Sequence, residues 1–400
     1  MDEVNELPQG WKWVKLGDVC HIEMGQSPNG DSYNKNKNGL PLLNGPAEFG
    51  KLNPTPVQWT TESTKLAEKG DILFCVRGST TGRKNIADRC YCIGRGIASI
   101  RGVINKSDTT FLYLLLDQIT EELLLKTSGS TFPNLSGENL KKFEIPFPEL
   151  PEQQRLATLL TAKLALIEQA KEKITAQLQA AQELTVAYLR EVFESEEAKG
   201  WEWVKLEDVC DIKGGKRLPN GTDFSKQKTD YPYIRVTDFL KGSVRTDNLK
   251  YIDDDTRKKI SRYIIQKENV YISIAGSIGL VGIIPEVLHN ASLTENAARL
   301  IIKNESILNR DFLSNFLGSD LGQEKIRLRT NTVGQPKLAL TRIATIEIPL
   351  PPPDKQTQLA NYLSEKLATV EQLKTTLQTQ LDSINQLPAA LLKQAFKGEL

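Results

Sequence analysis

The sequence predicts an α+β protein in which two α/β lobes, related by a pseudo-twofold axis, are separated by two long antiparallel helices forming a coiled coil. Three observations lead there. The chain repeats itself, since Gly10-Trp-Lys-Trp-Val-Lys-Leu-Gly-Asp-Val-Cys20-His-Ile22 returns as Gly200-Trp-Glu-Trp-Val-Lys-Leu-Glu-Asp-Val-Cys210-Asp-Ile212, 190 residues later. A second motif, Glu144-Ile-Pro-Phe-Pro148, returns as Glu347-Ile-Pro-Leu-Pro351 at an offset of 203, so the second unit gained residues between matched ends. Each unit then closes with an apolar stripe of seven-residue period. Fixed ends around a free middle mark a shared scaffold carrying two different specificities.

The lobes occupy residues 1–150 and 200–349. Short β-like runs (Asp71-Ile-Leu-Phe-Cys-Val76, Asn269-Val-Tyr-Ile-Ser-Ile274, Ala298-Arg-Leu-Ile-Ile302) alternate with helical segments such as Thr110-Phe-Leu-Tyr-Leu-Leu-Leu116 and Arg310-Asp-Phe-Leu-Ser-Asn-Phe316. The spacer segments, 151–199 and 350–400, carry the stripes Leu160, Ile167, Ile174, Ala181, Tyr188 and Leu363, Val370, Leu377, Ile384, Leu391. Proline-rich brakes (Pro146-Phe-Pro148-Glu-Leu-Pro151; Pro349-Leu-Pro351-Pro352-Pro353-Asp354) precede both, where Pro or Asp opens a first turn. Neither stripe contains glycine, and only Pro388 interrupts. About 40 residues at 1.5 Å each make a rod of roughly 60 Å. An exposed stripe of that length seeks a partner, and two within one chain pair with each other.

The 400 residues are 39% hydrophobic and 25% charged, the balance of a soluble globular chain. The N-terminal residues lack the pattern of a secretory leader, and no stretch approaches the roughly 20 apolar residues of a membrane span, so a cytoplasmic, non-membrane protein is expected. Five cysteines make an odd count. Cys20 and Cys210 are repeat equivalents in apolar surroundings and read as buried free thiols, while Cys90-Tyr-Cys92 lacks the second pair of a zinc knuckle; no metal is expected. Net charge is only +1. Lys+Arg against Asp+Glu counts 17 against 18 in residues 1–150 and 23 against 19 in 200–349, so any polyanion is bound through local patches.

Those patches lie in glycine-rich polar loops. Arg77-Gly-Ser79-Thr80-Thr-Gly82-Arg83-Lys84 and its counterpart Ala275-Gly276-Ser277-Ile-Gly279 follow a strand directly. Small residues let backbone N–H groups approach phosphate, and the hydroxyls and arginines suit phosphate or base edges; a tight turn explains the glycines equally well. A second loop ends each lobe, with Ser130, Thr131 and Asn134 in the first and Asn331, Thr332, Gln335 and Lys337 in the second. Asn or Gln suits adenine, and Arg or Lys suits guanine. Lys35, Lys37, Lys216, Arg217, Arg235 and Thr237 are lesser DNA-binding candidates.

Catalytic motifs are missing. There is no Walker loop, no Gly-x-Gly-x-x-Gly and no Asn-Pro-Pro-Tyr; the two histidines, His21 and His289, are not repeat equivalents. No catalytic residue is assigned, and a binding subunit is expected.

The residues resemble the specificity subunits of type I restriction-modification systems. The resemblance rests on Leu7-Pro-Gln-Gly-Trp-Lys-Trp-Val-Lys-Leu-Gly-Asp18, Gly129-Ser-Thr-Phe-Pro-Asn-Leu135, Ile145-Pro-Phe-Pro148 followed by Glu152-Gln-Gln-Arg155, and Leu391-Leu-Lys-Gln-Ala-Phe-Lys-Gly-Glu-Leu400, and it covers the whole chain. It implies that the lobes are target-recognition domains, each reading half of a split double-stranded DNA site, with helices that set the spacer. It also implies docking of two methyltransferase subunits that bring S-adenosylmethionine and, outside them, ATP-driven restriction subunits, with no cofactor in this chain. The second unit departs at Lys355-Gln-Thr-Gln358 and Thr332-Val-Gly-Gln-Pro336. The rival reading is a duplicated coiled-coil scaffold that holds two protein partners and touches DNA without specificity.

Overall fold

A computed structural model describes residues 7–127, 134–330 and 336–400. It divides into two compact units, one of residues 1–174 with 380–400 and one of residues 175–379. Both units are mixed helix and sheet, and the same plan is built twice.

In the first unit the repeated opening and closing motifs pair with each other. Lys12–Lys15 runs antiparallel to Glu144–Phe147, with Trp13 opposite Pro146 and Val14 opposite Ile145. In the second, Trp203–Lys205 pairs with Glu347–Pro349 in the same sense. The motifs are held constant because each forms the other's strand partner, and a one-residue slip would turn Ile145 or Ile348, both buried, toward solvent.

Between these ends lies a four-stranded antiparallel sheet ordered Cys20–Met24, Ile97–Gly102, Ile72–Cys75, Lys84–Ile86; its counterpart is Cys210–Gly214, Ala297–Ile302, Val270–Ser273, Val281–Ile283. The three runs read as strands from sequence are all here. Cys20 and Cys210 begin equivalent strands as buried free thiols, and burial pushes each thiol up to about 12. Cys90 is only half-buried. A second sheet holds Leu40–Leu43 parallel to Tyr91–Ile93 in the first unit and Pro232–Ile234 parallel to Ala291–Leu293 in the second. The helices Thr109–Thr127 and Arg310–Gly318 contain the two segments read as helical.

The long helices are Leu150–Phe193 and Pro353–Phe396, 44 residues each. Pro151 and Pro353 stand in their first turns, where no intrahelical N–H bond is lost. The second helix continues through Pro388 instead of breaking there. In the first unit Leu156, Ala157 and Leu160, from the start of the first helix, share a core with Leu391, Leu392, Ala395 and Phe396, from the end of the second. In the second unit the relation is reversed: Leu189, Val192 and Phe193 share a core with Ala360 and Leu363. Within either unit, therefore, the helices run antiparallel. Leu160, Ile174, Ala181, Leu363, Val370, Leu377 and Leu391 are buried, whereas Ile167, Tyr188 and Ile384 are half-buried.

The aromatic clusters repeat as well. Phe396 meets Trp11 and Phe111 edge-on at 6.3 and 5.5 Å; Phe193 meets Phe312 and Phe316 at 5.5 and 5.4 Å, with Trp201 against Phe312. Edge-to-face contacts of this kind add roughly 0.5–1.5 kcal/mol each beyond area burial. A fully buried glutamine then ties each helix start to its lobe. Gln153 accepts from the Asp108 N–H at 2.9 Å and donates to the carbonyls of Lys106 and Pro148; Gln356 accepts from Asn309 at 2.8 Å and donates to Ile307 and Pro351.

Candidate nucleic-acid interface

The loop after strand Ile72–Cys75 turns back on itself through two backbone bonds, Gly82 N–H to Cys75 carbonyl at 2.9 Å and Cys75 N–H to Arg83 carbonyl at 2.8 Å. Gly78 and Gly82 have φ of +84° and +96°, and a Cβ on Gly82 would lie 2.5 Å from Thr120 Cγ2. The counterpart has Gly276 at +74° and Gly279 at +87°, with Gly279 N–H bonded to the Ser273 carbonyl. Turn geometry therefore accounts for these glycines. The polar side chains between them point outward: Arg77, Ser79, Arg83 and Ser277 are exposed, and Thr80 is half-buried beside Cys75 Sγ.

The second polar loop comes to the first in both lobes. Arg77 and Asn134 form an antiparallel bridge, with Leu135 N–H on the Val76 carbonyl at 2.9 Å; Ala275 and Lys337 do the same, with Leu338 on Ile274. Asn134 and Lys337 are exposed at these junctions. Ser130, Thr131, Asn331, Thr332 and Gln335 lie outside the described residues.

Lys84 departs from the expectation of a DNA contact. Its side chain is 7% exposed, its Nζ pairs with Asp117 at 2.6 Å, donates to the Tyr113 carbonyl and lies 3.6 Å from the Tyr113 ring centroid. Burial pulls its ammonium down to about 8 against the opposing pull of Asp117. The strand that begins at Lys84 turns the side chain onto helix Thr109–Thr127, so the charge braces the loop from beneath. Arg235 is likewise committed, to Asp238 at 2.7 Å and to the Asn248 carbonyl at 2.9 Å. Lys35 and Lys37 stand on an exposed turn that Asn34 clasps through both backbone groups of Asn38. Lys216 is exposed 5.8 Å from the Tyr263 ring, Thr237 is exposed, and Arg217 is exposed but paired with Glu295 at 2.7 Å.

An open cleft of about 570 Å³ beside Arg77 is the feature that sequence reading missed. Ser27, Pro28, Tyr33, Asn44, Arg95 and Gly96 complete its lining. Arg95 is exposed and, like Arg77 and Arg83, has no acidic partner among the described residues, whereas Arg89 and Arg101 pair with Asp88 and with Asp71 and Glu68. The available signal was the run Gly94-Arg95-Gly96, a cation bracketed by glycines. Among the described residues no group of three or more His, Cys, Asp or Glu is placed to hold a metal, and no helix is long and apolar enough to cross a membrane.

Comparison with known proteins identifies what this architecture belongs to. The family model described as the type I restriction modification DNA specificity domain matches twice, over residues 8–180 and 198–383. Among curated relatives, the Methanocaldococcus jannaschii protein described as a type I restriction enzyme MjaX specificity subunit is 39% identical over 174 residues, 43% of this chain and 41% of that relative. The Escherichia coli EcoBI specificity subunit is 21% identical over 98% of this chain and 87% of its own length. Two solved structures share the fold: a chain from work on assembly and conformational transition of the type I R-M system (TM-score 0.79, 21% identity, 99% of this chain and 100% of that one), and the HsdS subunit of Thermoanaerobacter tengcongensis (TM-score 0.60, 21% identity, 99% and 98%). With both lobes and most of both helices inside the two matches, the chain belongs to the type I restriction modification DNA specificity family.

Proposed function

We propose that this chain is the specificity subunit of a type I restriction-modification complex, in which each lobe reads one half of a split double-stranded DNA site. Specificity subunits are non-catalytic, and methyl transfer and cleavage reside in partner subunits. On this reading residues 1–150 and 200–349 are the two target-recognition domains, and 151–199 and 350–400 are the spacers that set the distance between half-sites and dock two methyltransferase subunits. Those subunits supply S-adenosylmethionine, restriction subunits use ATP, and the complex works in the cytoplasm, where its DNA is.

One observation carries the reading: the same scaffold occurs twice, down to Gln153 and Gln356, while the side chains on the equivalent loops differ. A duplicated scaffold with unlike polar loops suits two unlike sequences. The candidates on those loops are Arg77, Ser79, Thr80, Arg83, Asn134, Lys35, Lys37, Ser277, Lys216, Arg217, Thr237 and Lys337, together with Ser130, Thr131, Asn331, Thr332 and Gln335. The test is methylation mapping of the complex assembled with its methyltransferase subunits. A split motif is expected, and a four-residue insertion near Gln177, about 6 Å of helix, should lengthen its spacer by one or two base pairs while both half-sites persist. Because four residues shift the heptad phase, a melting curve accompanies the insertion. Modification without sequence preference would overturn the reading in favour of a scaffold for two protein partners.

A further inference from the structure

The cleft of the first lobe carries Arg95 on a tightly constrained turn. Arg95 stands on a turn whose backbone is pinned on three sides: Gly94 N–H to the Leu43 carbonyl at 2.8 Å, Ile97 N–H to the Gly94 carbonyl at 3.0 Å, and Val76 N–H to the Gly96 carbonyl at 2.9 Å. The flanking glycines let the turn lie directly on Asn44, since a Cβ at Gly94 would strike Asn44 Oδ1 and one at Gly96 would lie 2.5 Å from the Asn44 carbonyl oxygen. An exposed guanidinium without a carboxylate partner is thus held by a backbone that cannot swing. A cation needed only to neutralise phosphate requires no such fixity, because that attraction is long-ranged and insensitive to angle; a fork that must meet two acceptors at once does.

We propose that Arg95 is a base-reading residue of the first lobe and that its target is the O6/N7 edge of a guanine, with Arg77 on the same cleft and Asn44 beneath the turn as a positioning residue. This rests on the reading of the chain as a DNA specificity subunit. The register of the second lobe supports the assignment of the turn. Ile93 and Leu293 are equivalent strand ends, paired to Leu43 and Ile234, so the residue at the place of Arg95 is Glu295. There the carboxylate accepts from Arg217 at 2.7 Å and from the Thr294 hydroxyl at 3.0 Å. At the same position, then, the first lobe presents an unpaired donor fork and the second a carboxylate already engaged by Arg217, so the equivalent turns present different groups to a ligand.

The test uses the chain assembled with its methyltransferase subunits and maps methylation on a library randomised in both half-sites. Arg95→Ala should cut discrimination at one G·C pair of the first half-site by roughly ten- to hundredfold, leaving the second half-site and the spacer untouched. Arg95→Gln, which keeps most of the aliphatic stem, should shift the preference at that pair toward A·T, because glutamine matches the N6/N7 edge of adenine. Arg89→Ala, which removes an arginine already paired with Asp88, should change neither half-site. If Arg95→Ala and Arg95→Gln weaken modification equally at every sequence and lower the salt dependence of binding, Arg95 is a phosphate contact and the proposal fails. It fails equally if both variants keep the wild-type preference. Were the unaltered chain to show no split motif at all, the DNA-specificity reading itself would fall, an outcome visible before any variant is made.

Discussion

The two lobes differ less in how much charge they carry than in how much of it is available. The first is net acidic, 17 basic against 18 acidic residues in 1–150, yet three of its five arginines, Arg77, Arg83 and Arg95, have no acidic partner among the described residues. The second is net basic, 23 against 19, and of its ten arginines Arg217, Arg235, Arg245, Arg310 and Arg327 are tied to neighbouring carboxylates and Arg257 to Ser292 Oγ and the Asn290 carbonyl, while Arg262 is exposed. A guanidinium already engaged by a carboxylate must exchange that partner before it can hold DNA, so an inventory by sign does not say which donors are free. The lesson extends to lysine. Lys84, which follows Arg83 at the end of an exposed loop, is the buried one, while Lys216 is the exposed one.

The largest expected effect breaks the features that the lobes share. Replacing Gln153 by Leu leaves one N–H and two carbonyls without their partner, and at about 1–3 kcal/mol for each such group, taken at the low end because two of the three bonds are only part-buried, the variant should lose at least about 3 kcal/mol of stability. Gln356→Leu should lose a similar amount in the other unit. Urea unfolding of both decides it; a loss in only one would mean that the repeat is geometric but not energetic.

Next comes an exchange at the place where the lobes diverge. Lys84 pairs in register with Phe74, and its counterpart is Val281 opposite Ile272. Val281 is buried and the residue at the place of Asp117 is Gly318, so Val281→Lys would bury an ammonium without that partner and should cost about 3 kcal/mol or more at pH 7. Lys84→Met removes a desolvated charge and leaves Asp117, about half exposed, to water, so it should stay within about 1.5 kcal/mol of wild type, the range of well-packed apolar replacements. Comparable losses in both variants, read from melting curves, would show that the bracing by Lys84 matters more than its burial.

A third measurement sharpens the same contrast through pH. Burial holds the Lys84 ammonium down to about 8, below the ordinary lysine value of 10.5, so between those limits the unfolded chain binds the extra proton. The penalty on the charged form is therefore fully present below about pH 8 and fades as pH rises toward 10.5. Relative to Lys84→Met, the wild type should gain stability across that window by at most about 1.4 kcal/mol per pH unit. A flat difference between pH 8 and 10 would place the Lys84 proton elsewhere.

The smallest effect concerns ion pairs that join loops to the long helices. Lys51 reaches Glu168 at 3.0 Å and Glu172 at 3.4 Å in the first unit, and Arg190 reaches Asp320 at 2.6 Å in the second. All are exposed and screened, so Lys51→Ala and Asp320→Ala should barely move the melting temperature, and any shift should vanish in high salt. A substantial drop for one alone would reveal that its helix contact is structural.

What the chain determined by itself is whatever repeats locally. The Trp-x-Trp-Val-Lys and Glu-Ile-Pro motifs, the heptad stripes and the strand runs are patterns over a few to a few dozen residues, and periodicity records which face each element buries. They disclosed two lobes, two helices of matched length and the family, and they put Arg77 and Asn134 on polar loops, which only the structure brings together. The tertiary structure alone decided the rest. Whether a cation is free or spent depends on a carboxylate that is remote in sequence: Asp117 lies 33 residues from Lys84, and Glu295 lies 78 residues from Arg217. The cleft holding Arg95 joins residues from 27 to 96 that no periodicity links. Polar side chains on loops carry no burial pattern, because their register is set by the backbone pairings of the strands that flank them, and those pairings exist only once the sheet has formed.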